Sequence, residues 1–243
     1  YYMGQSKIDL LVLGLPVNTF EKYNQALAER VIGKHVVPVR EKDGSIAERE
    51  VEVSHCRVIP QPIGAFFDYA TKTRTYDRMR SQMNLLIDIG YYTLDWLVAD
   101  GVKMVNARSG AHNGGMSAVL RSMAEAIGSE IGEQISDLSM LEESIRTGID
   151  PTFYGKPFDI TEHLKIGKAK AEQFVSVLVN KVGSALDISN IILAGGGAEF
   201  FKDVLADKFP KHEIITTSDP VFANVRGFQR AGQQFADQIF KRG

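Results

Sequence analysis

Asp88-Ile89-Gly90-Tyr91-Tyr92-Thr93-Leu94-Asp95 ends one apolar strand on an acid, turns on a glycine, and brings a threonine and a second acid to the start of the next strand. A carboxylate at a strand end can hold Mg²⁺ directly or through water. Backbone N–H groups in the turn can point at phosphate oxygens, and the Thr93 hydroxyl adds a donor. The same residues also make an ordinary turn, so by themselves they leave both readings open. Later in the chain, Ile191-Ile192-Leu193-Ala194-Gly195-Gly196-Gly197-Ala198-Glu199 runs from an apolar strand through three glycines into a helix. Missing side chains let a ligand approach the backbone there, and the helix N-terminus favours negative charge.

Outward from these two elements, periodicity predicts an alternating α/β chain. Ile8 to Pro16 reads as one strand, followed by a helix capped by Asn18 or Thr19 and running to about Arg30. Val36–Val39 and Ala47–Val53 alternate around Lys42-Asp43-Gly44 as a hairpin. Pro60-Gln61-Pro62 breaks the sheet, Phe66–Thr73 reads as a helix, and Arg74–Gln82 as a polar surface connection. Strands are expected at Asn84–Ile89, Tyr92–Ala99 and Lys103–Ala107, and helices at Ser117–Ile131 and Ile135–Arg146, the latter stopped at Thr147-Gly148. A long helix over Ile166–Val182, the strand Asn190–Ala194, a helix over Glu199–Phe209, a strand over His212–Thr216 and a closing helix within Val221–Lys241 complete the pattern.

The composition, 44% hydrophobic and 24% charged over 243 residues, is that of a globular protein with room for one large domain or two lobes. A formal charge of -2 supplies no field for generic nucleic-acid binding. One cysteine, Cys56, excludes an intrachain disulfide and fits a reducing cytoplasm. The five histidines show no zinc spacing, and no apolar run suits a membrane span. A dinucleotide fingerprint would need a glycine where Phe200 stands, and no phosphate-loop G-x-x-x-x-G-K-[ST] occurs. Tyr1-Tyr2, a few residues before an apolar run, reads as the interior of a longer protein.

Taken together and in this order, the two glycine-containing elements resemble the phosphate-2 and adenosine motifs of the actin, sugar-kinase and heat-shock ATPase superfamily. Within it, Leu13-Gly-Leu-Pro-Val17, Ser109-Gly-Ala-His-Asn-Gly-Gly115, Leu141-Glu-Glu-Ser-Ile-Arg-Thr-Gly148 and Val221-Phe-Ala-Asn-Val-Arg-Gly-Phe-Gln-Arg-Ala-Gly232 are similar to the plasmid-segregation branch, the ParM/StbA type including the PRTRC protein D group. Tyr91 departs from that pattern, standing where a second glycine is common.

The resemblance implies an α/β actin-like ATPase fold of the ribonuclease-H-like class, with two lobes and the first incomplete, because the family's first phosphate loop has no counterpart after Tyr1. Residues 1–83 would form the first lobe, 84–220 the second, and 221–243 a helix returning to the first. It implies ATP or GTP with Mg²⁺ on Asp88, phosphates at Gly90, Thr93 and Asp95, adenosine against Gly195, Gly196 and Gly197, and a water oriented by Gln61. Gly110 and Asn224 are expected on the nucleotide side. Glu142, Glu143 and Arg146, on one helical turn or its neighbour, are read as a solvated charged face, with reach to ribose as the alternative. Head-to-tail filaments, a DNA-binding adaptor, no direct nucleic-acid contact and no membrane contact follow from the same resemblance. A small-molecule kinase of the superfamily and a non-catalytic scaffold are the alternatives.

Overall fold

A computed structural model describes residues 6–240; the Tyr1-Tyr2 start and the expected helix end at Lys241 lie outside them. The chain begins with β1 (Lys7–Ile8), β2 (Leu11–Leu15), α1 (Val17–Val31), β3 (Gly33–Arg40), β4 (Ile46–Val53), β5 (Cys56–Pro60), α2 (Ile63–Lys72) and α3 (Tyr76–Met79). It continues with β6 (Met83–Ile89), β7 (Leu94–Asp100), β8 (Lys103–Met104), β9 (Gly110–His112), α4 (Met116–Ile131), α5 (Ser139–Thr147), β10 (Thr152–Phe153) and β11 (Lys156–Pro157). The last elements are α6 (Thr161–Val182), β12 (Ile188–Ala194), α7 (Ala198–Lys208), β13 (Ile214–Thr216) and α8 (Ala223–Phe240).

Among the described residues, β1, β4 and β3 form one sheet, β2 and β5 a parallel pair, and β10 and β11 a small hairpin. β13, β12, β6, β7 and β8 lie side by side, with β9 also on β7, as a six-stranded sheet. Its central strands are apolar at almost every position because helices cover both faces. On one face α4, α6 and α7 pack over Leu85, Ile87, Ile89, Ile191 and Leu193. On the other, Phe66, Phe67 and Ala70 of α2 and Ala231 of α8 pack over Leu86, Leu97, Ile192 and Ala194. This second core draws residues from both sides of 83/84 and of 220/221.

Several local expectations shift. The run Ile8–Pro16 is two strands, because the chain changes partner at Asp9-Leu10. Ser54 N–H donates to Ile8 O and Leu11 N–H to His55 O, so β1 follows β4 and β2 follows β5. Helix α1 is entered through Pro16 with no side-chain cap, and the Thr19 hydroxyl donates to Pro16 O instead. The segment 74–82 is not wholly surface, since Met79 of α3 is fully buried. The third strand shrinks to Lys103–Met104 because Ser109 Oγ accepts the Val98 N–H and donates to Val105 O, replacing a ladder bond. Asp137 accepts the Ser139 N–H and Asp159 the Thr161 N–H. These two acids start α5 later, and α6 earlier, than periodicity alone places them. The stop at Thr147-Gly148 holds: Gly148 is left-handed, with its N–H on Ser144 O.

Candidate functional site

Strand parity sets the site. Successive side chains alternate across a sheet, so Asp88 shares the face of Leu86, toward α2 and α8, while Ile87 and Ile89 face α4 and α7. Asp95 is the cross-strand partner of Asp88, which places both carboxyls on that same face at the strand ends. Asp88 is 5% exposed and Asp95 6%.

Two neutral amides hold Asp88. Gln61, in the connection between β5 and α2, donates from Nε2 to Asp88 Oδ2 at 2.9 Å. Asn224, in the first turn of α8, donates from Nδ2 to the same oxygen at 2.8 Å and accepts the Ala65 N–H on Oδ1. Burial pushes the Asp88 carboxyl up to about 6, with the Asp95 charge adding to the rise and the Asn224 and Gln61 hydrogen bonds opposing it. Asp95 is also raised by burial, against hydrogen bonds from the Thr93 hydroxyl at 2.8 Å and the Val17 N–H at 3.4 Å. Val17 opens α1, so the positive end of that helix faces Asp95.

No ion pair joins either carboxyl to a lysine or arginine among the described residues. Two buried carboxylates braced by neutral donors fit a divalent cation of the Mg²⁺ type, which takes one or two carboxylates and completes its shell with phosphate and water. No cluster of three metal-ligating side chains occurs among the described residues, so a caged structural metal has no candidate ligand set there.

The three glycines serve three different needs. Gly195 has φ +86, and a Cβ there would strike Ile89 O and come within 2.6 Å of Asp88 Oδ1. Its N–H donates to Pro220 O at 2.9 Å. Gly197 lies against Ile89 and Met116, and its N–H donates to Ile89 O as α7 begins. Gly196 alone is open: the nearest atom to an added Cβ is Val221 Cγ2 at 3.9 Å. It lines a cleft of about 440 Å³ bounded by Met116, Glu142, Arg146, Lys168, Glu199 and Phe200, within the roughly 300–1,000 Å³ of small-ligand pockets. A larger depression of about 710 Å³ along α4 and 132–138 contains neither Asp88 nor the glycines.

The structure therefore brings Gln61, Asp88, Thr93, Asp95, Gly195 and Asn224 together, with Gly196 opening from them into the cleft. The Asn224 amide is engaged by Asp88 and Ala65 on both of its ends, and the Thr93 proton is committed to Asp95. Gly90 is not demanded by space, since an added Cβ would make ordinary contact with Thr93 O. Gly115 is: its Cα hydrogens face Gly90 O and Tyr91 O, where the start of α4 clamps the turn. Gly110 lies on β9 against the Trp96 ring, with Ser109 buried beside it, and it lines a separate depression with Val17 and Lys181. Tyr91 rests edge-on against Tyr92. Glu142, Glu143 and Arg146 are exposed, as a solvated face requires; Glu142 and Arg146 also line the cleft, and Glu143 pairs with Arg146. Lys168 and Phe200 are cleft residues that motif reading did not single out.

Family comparison matches residues 86–207 to the archaeal MreB-like actin homologues, C-terminal part, and residues 1–64 to the N-terminal domain of actin-like proteins. No curated protein matches the chain. Among solved structures, the archaeal actin homologue Ta0583 is 19% identical with a TM-score of 0.78, covering 93% of this chain and 71% of its own. The actin-like protein Alp7A is 16% identical at TM-score 0.72, covering 97% of this chain and 70% of its own. A ParM from Clostridium botulinum, solved as a 15-stranded filament, is 23% identical at TM-score 0.70, covering 92% and 66%. With the MreB-like model alone spanning half of the chain and the actin-like N-terminal model a further stretch, the chain belongs to the actin homologues.

Proposed function

We propose that this chain binds a nucleoside triphosphate with Mg²⁺ between the Asp88/Asp95 pair and the Gly196 cleft, hydrolyses it, and self-associates into filaments under its control in DNA segregation. The observation that carries the reading is Asp88: a buried carboxyl, pushed up to about 6, braced by two neutral amides beside a second acid. Such a group is ionised at a cost that a cationic ligand would remove. Two similar structures support the ligand and the assembly: Ta0583 was solved with ADP, and the Clostridium botulinum ParM as a filament.

Bound Mg²⁺ would supply the positive charge that offsets the phosphates and both acids. The protein's own residues position. Gln61 has its Nε2 on Asp88 Oδ2, which leaves its amide oxygen to accept a hydrogen bond from a water and hold that water in line. A neutral amide is too weak a base to deprotonate water, so its contribution is orientation, as expected for phosphoryl transfer dominated by placement. Asn224 fixes the Asp88 rotamer, and Gly196 admits the nucleoside. No helix among the described residues is long and apolar enough to cross a membrane.

Calorimetry with Mg-ATP and Mg-GTP, run on this chain and on a version extended at its N-terminus, together with phosphate release and light scattering, tests the reading. Saturable binding, turnover and nucleotide-dependent scattering support it. Absence of nucleotide binding by both proteins overturns the function and leaves the fold.

A further inference from the structure

Asp68 of α2 is fully buried, yet three cations converge on it. Arg226 of α8 reaches both carboxylate oxygens, Lys72 donates to Oδ2 at 2.8 Å, and Arg230 lies 3.5 Å from Oδ1. A buried ion pair is weak evidence for a stabilising purpose, because an apolar contact of similar volume would hold two helices equally well. The remaining bonds are more informative. The Arg226 guanidinium also donates to Ser218 O at 2.6 Å, Asp219 O at 2.9 Å and Asp219 Oδ2 at 3.1 Å, and Lys72 reaches Ser218 Oγ at 2.9 Å. All of these bonds grip one turn, in which Asp219 is held at φ +51, a conformation disfavoured for a residue with a side chain.

The next residue, Pro220, accepts the Gly195 N–H, and the one after, Val221, is the nearest neighbour of Gly196. We propose that Asp68 and Arg226 are positioning residues: they clamp residues 218–220 and, through Pro220, set the height of the glycine floor on which the nucleotide rests. The clamp deepens the nucleotide reading above and rests on it for its functional consequence. Arg226 lies in the same helix turn as Asn224, so one rigid element fixes both the acid and the floor.

The test compares wild type with Arg226→Lys, which keeps the charge and loses the planar fork, and with the milder Lys72→Gln. Site-resolved amide exchange is measured without nucleotide, and affinity with a fluorescent Mg-ADP analogue. Exchange of the Gly195 N–H is expected to rise about ten-fold in Arg226→Lys, and affinity to fall about ten-fold, roughly the loss of one charge-assisted bond. Lys72→Gln should shift both in the same direction by about three-fold, on the same reasoning. The β12 amides of Ile191–Leu193 should keep their protection. Unchanged Gly195 exchange, or equal acceleration at Gly195 and throughout β12, overturns the clamp. If wild type binds no nucleotide while Gly195 still responds, the nucleotide reading fails and the clamp on the floor stands. If wild type binds and both variants match it in affinity and exchange, the clamp fails and the nucleotide reading stands.

Discussion

The substitution Asp88→Asn should make the nucleotide-free protein more stable at neutral pH while removing its capacity for Mg²⁺. The ordinary carboxyl value is 3.8 and the folded protein raises Asp88 to about 6. The folded state thus holds the proton more tightly than the unfolded chain, and Asp88 is most favourable below the unfolded value. That advantage is lost as pH rises through about 6, where ionised Asp88 costs about 3 kcal/mol for a difference near two units at 1.36 kcal/mol each. A neutral amide at this position never ionises, and its carbonyl oxygen can accept the same Gln61 and Asn224 bonds. Urea unfolding of both proteins without nucleotide, from about pH 4 to 7.5, should show Asp88→Asn ahead by as much as about 3 kcal/mol at the upper end and level with wild type at the lower. An offset that does not depend on pH, or a variant less stable at pH 7.5, would refute the claim that burial and Asp95 set the state of this carboxyl.

Gly196→Val should abolish Mg-nucleotide binding with unfolding free energy changed by less than about 0.5 kcal/mol, because only Val221 is near. Gly197→Ala should instead cost about 1–3 kcal/mol in a denaturant melt, since its Cβ collides with Ile89 and Met116. Gln61→Ala should slow single-turnover phosphate release by about a hundred-fold, with affinity changed only a few-fold. Asp68→Asn leaves Arg226, Lys72 and Arg230 without their counter-charge and should cost about 3–5 kcal/mol at neutral pH. Burial alone would raise the Asp68 carboxyl, but hydrogen bonds and charge from Arg226 and Lys72 outweigh burial and hold it low. Its contribution is therefore present above the usual carboxylate range and fades on acidification, so this deficit should shrink as pH falls, whereas the Asp88→Asn advantage shrinks for the opposite reason.

What could be read from the sequence was what local pattern determines. The apolar runs of β6 and β12, each ended by an acid or a glycine, announced buried strands, whereas the shared face of Asp88 and Asp95 comes from the β6–β7 register that the structure shows. The family resemblance gave Gln61 and Asp88 separate roles at one site, and their hydrogen bond is seen only in the structure, since no spacing rule connects a loop before α2 with the end of β6. Glu142 and Arg146 have the spacing of an exposed charged helix face and are exposed; that they also line a cleft with residues of α6 and α7 is a tertiary fact no local pattern carries. The Asp68–Arg226 pair joins residues 158 positions apart, and its charges read as ordinary surface until α2 and α8 are laid side by side. At Gly110 a glycine in a polar run suggested a ligand, and the contact that the structure adds, invisible in the sequence, is with the Trp96 ring.

The crossing of α2 and α8 bears on how this sequence can drift. At Gly64 an added Cβ would come within 2.5 Å of Asn224 O and 2.7 Å of its Cα, and one at Gly227 would run into the Gly64 carbonyl. Neither position carries a side chain that could act on a ligand, yet either substitution would wedge the helices apart and carry Asn224 away from Asp88. Where two backbones touch, the sequence has no smaller residue to accept and no larger one to tolerate, so the register of the site is inherited through two hydrogen atoms. A survey of random variants selected only for nucleotide binding should find these two glycines as immovable as Asp88 itself.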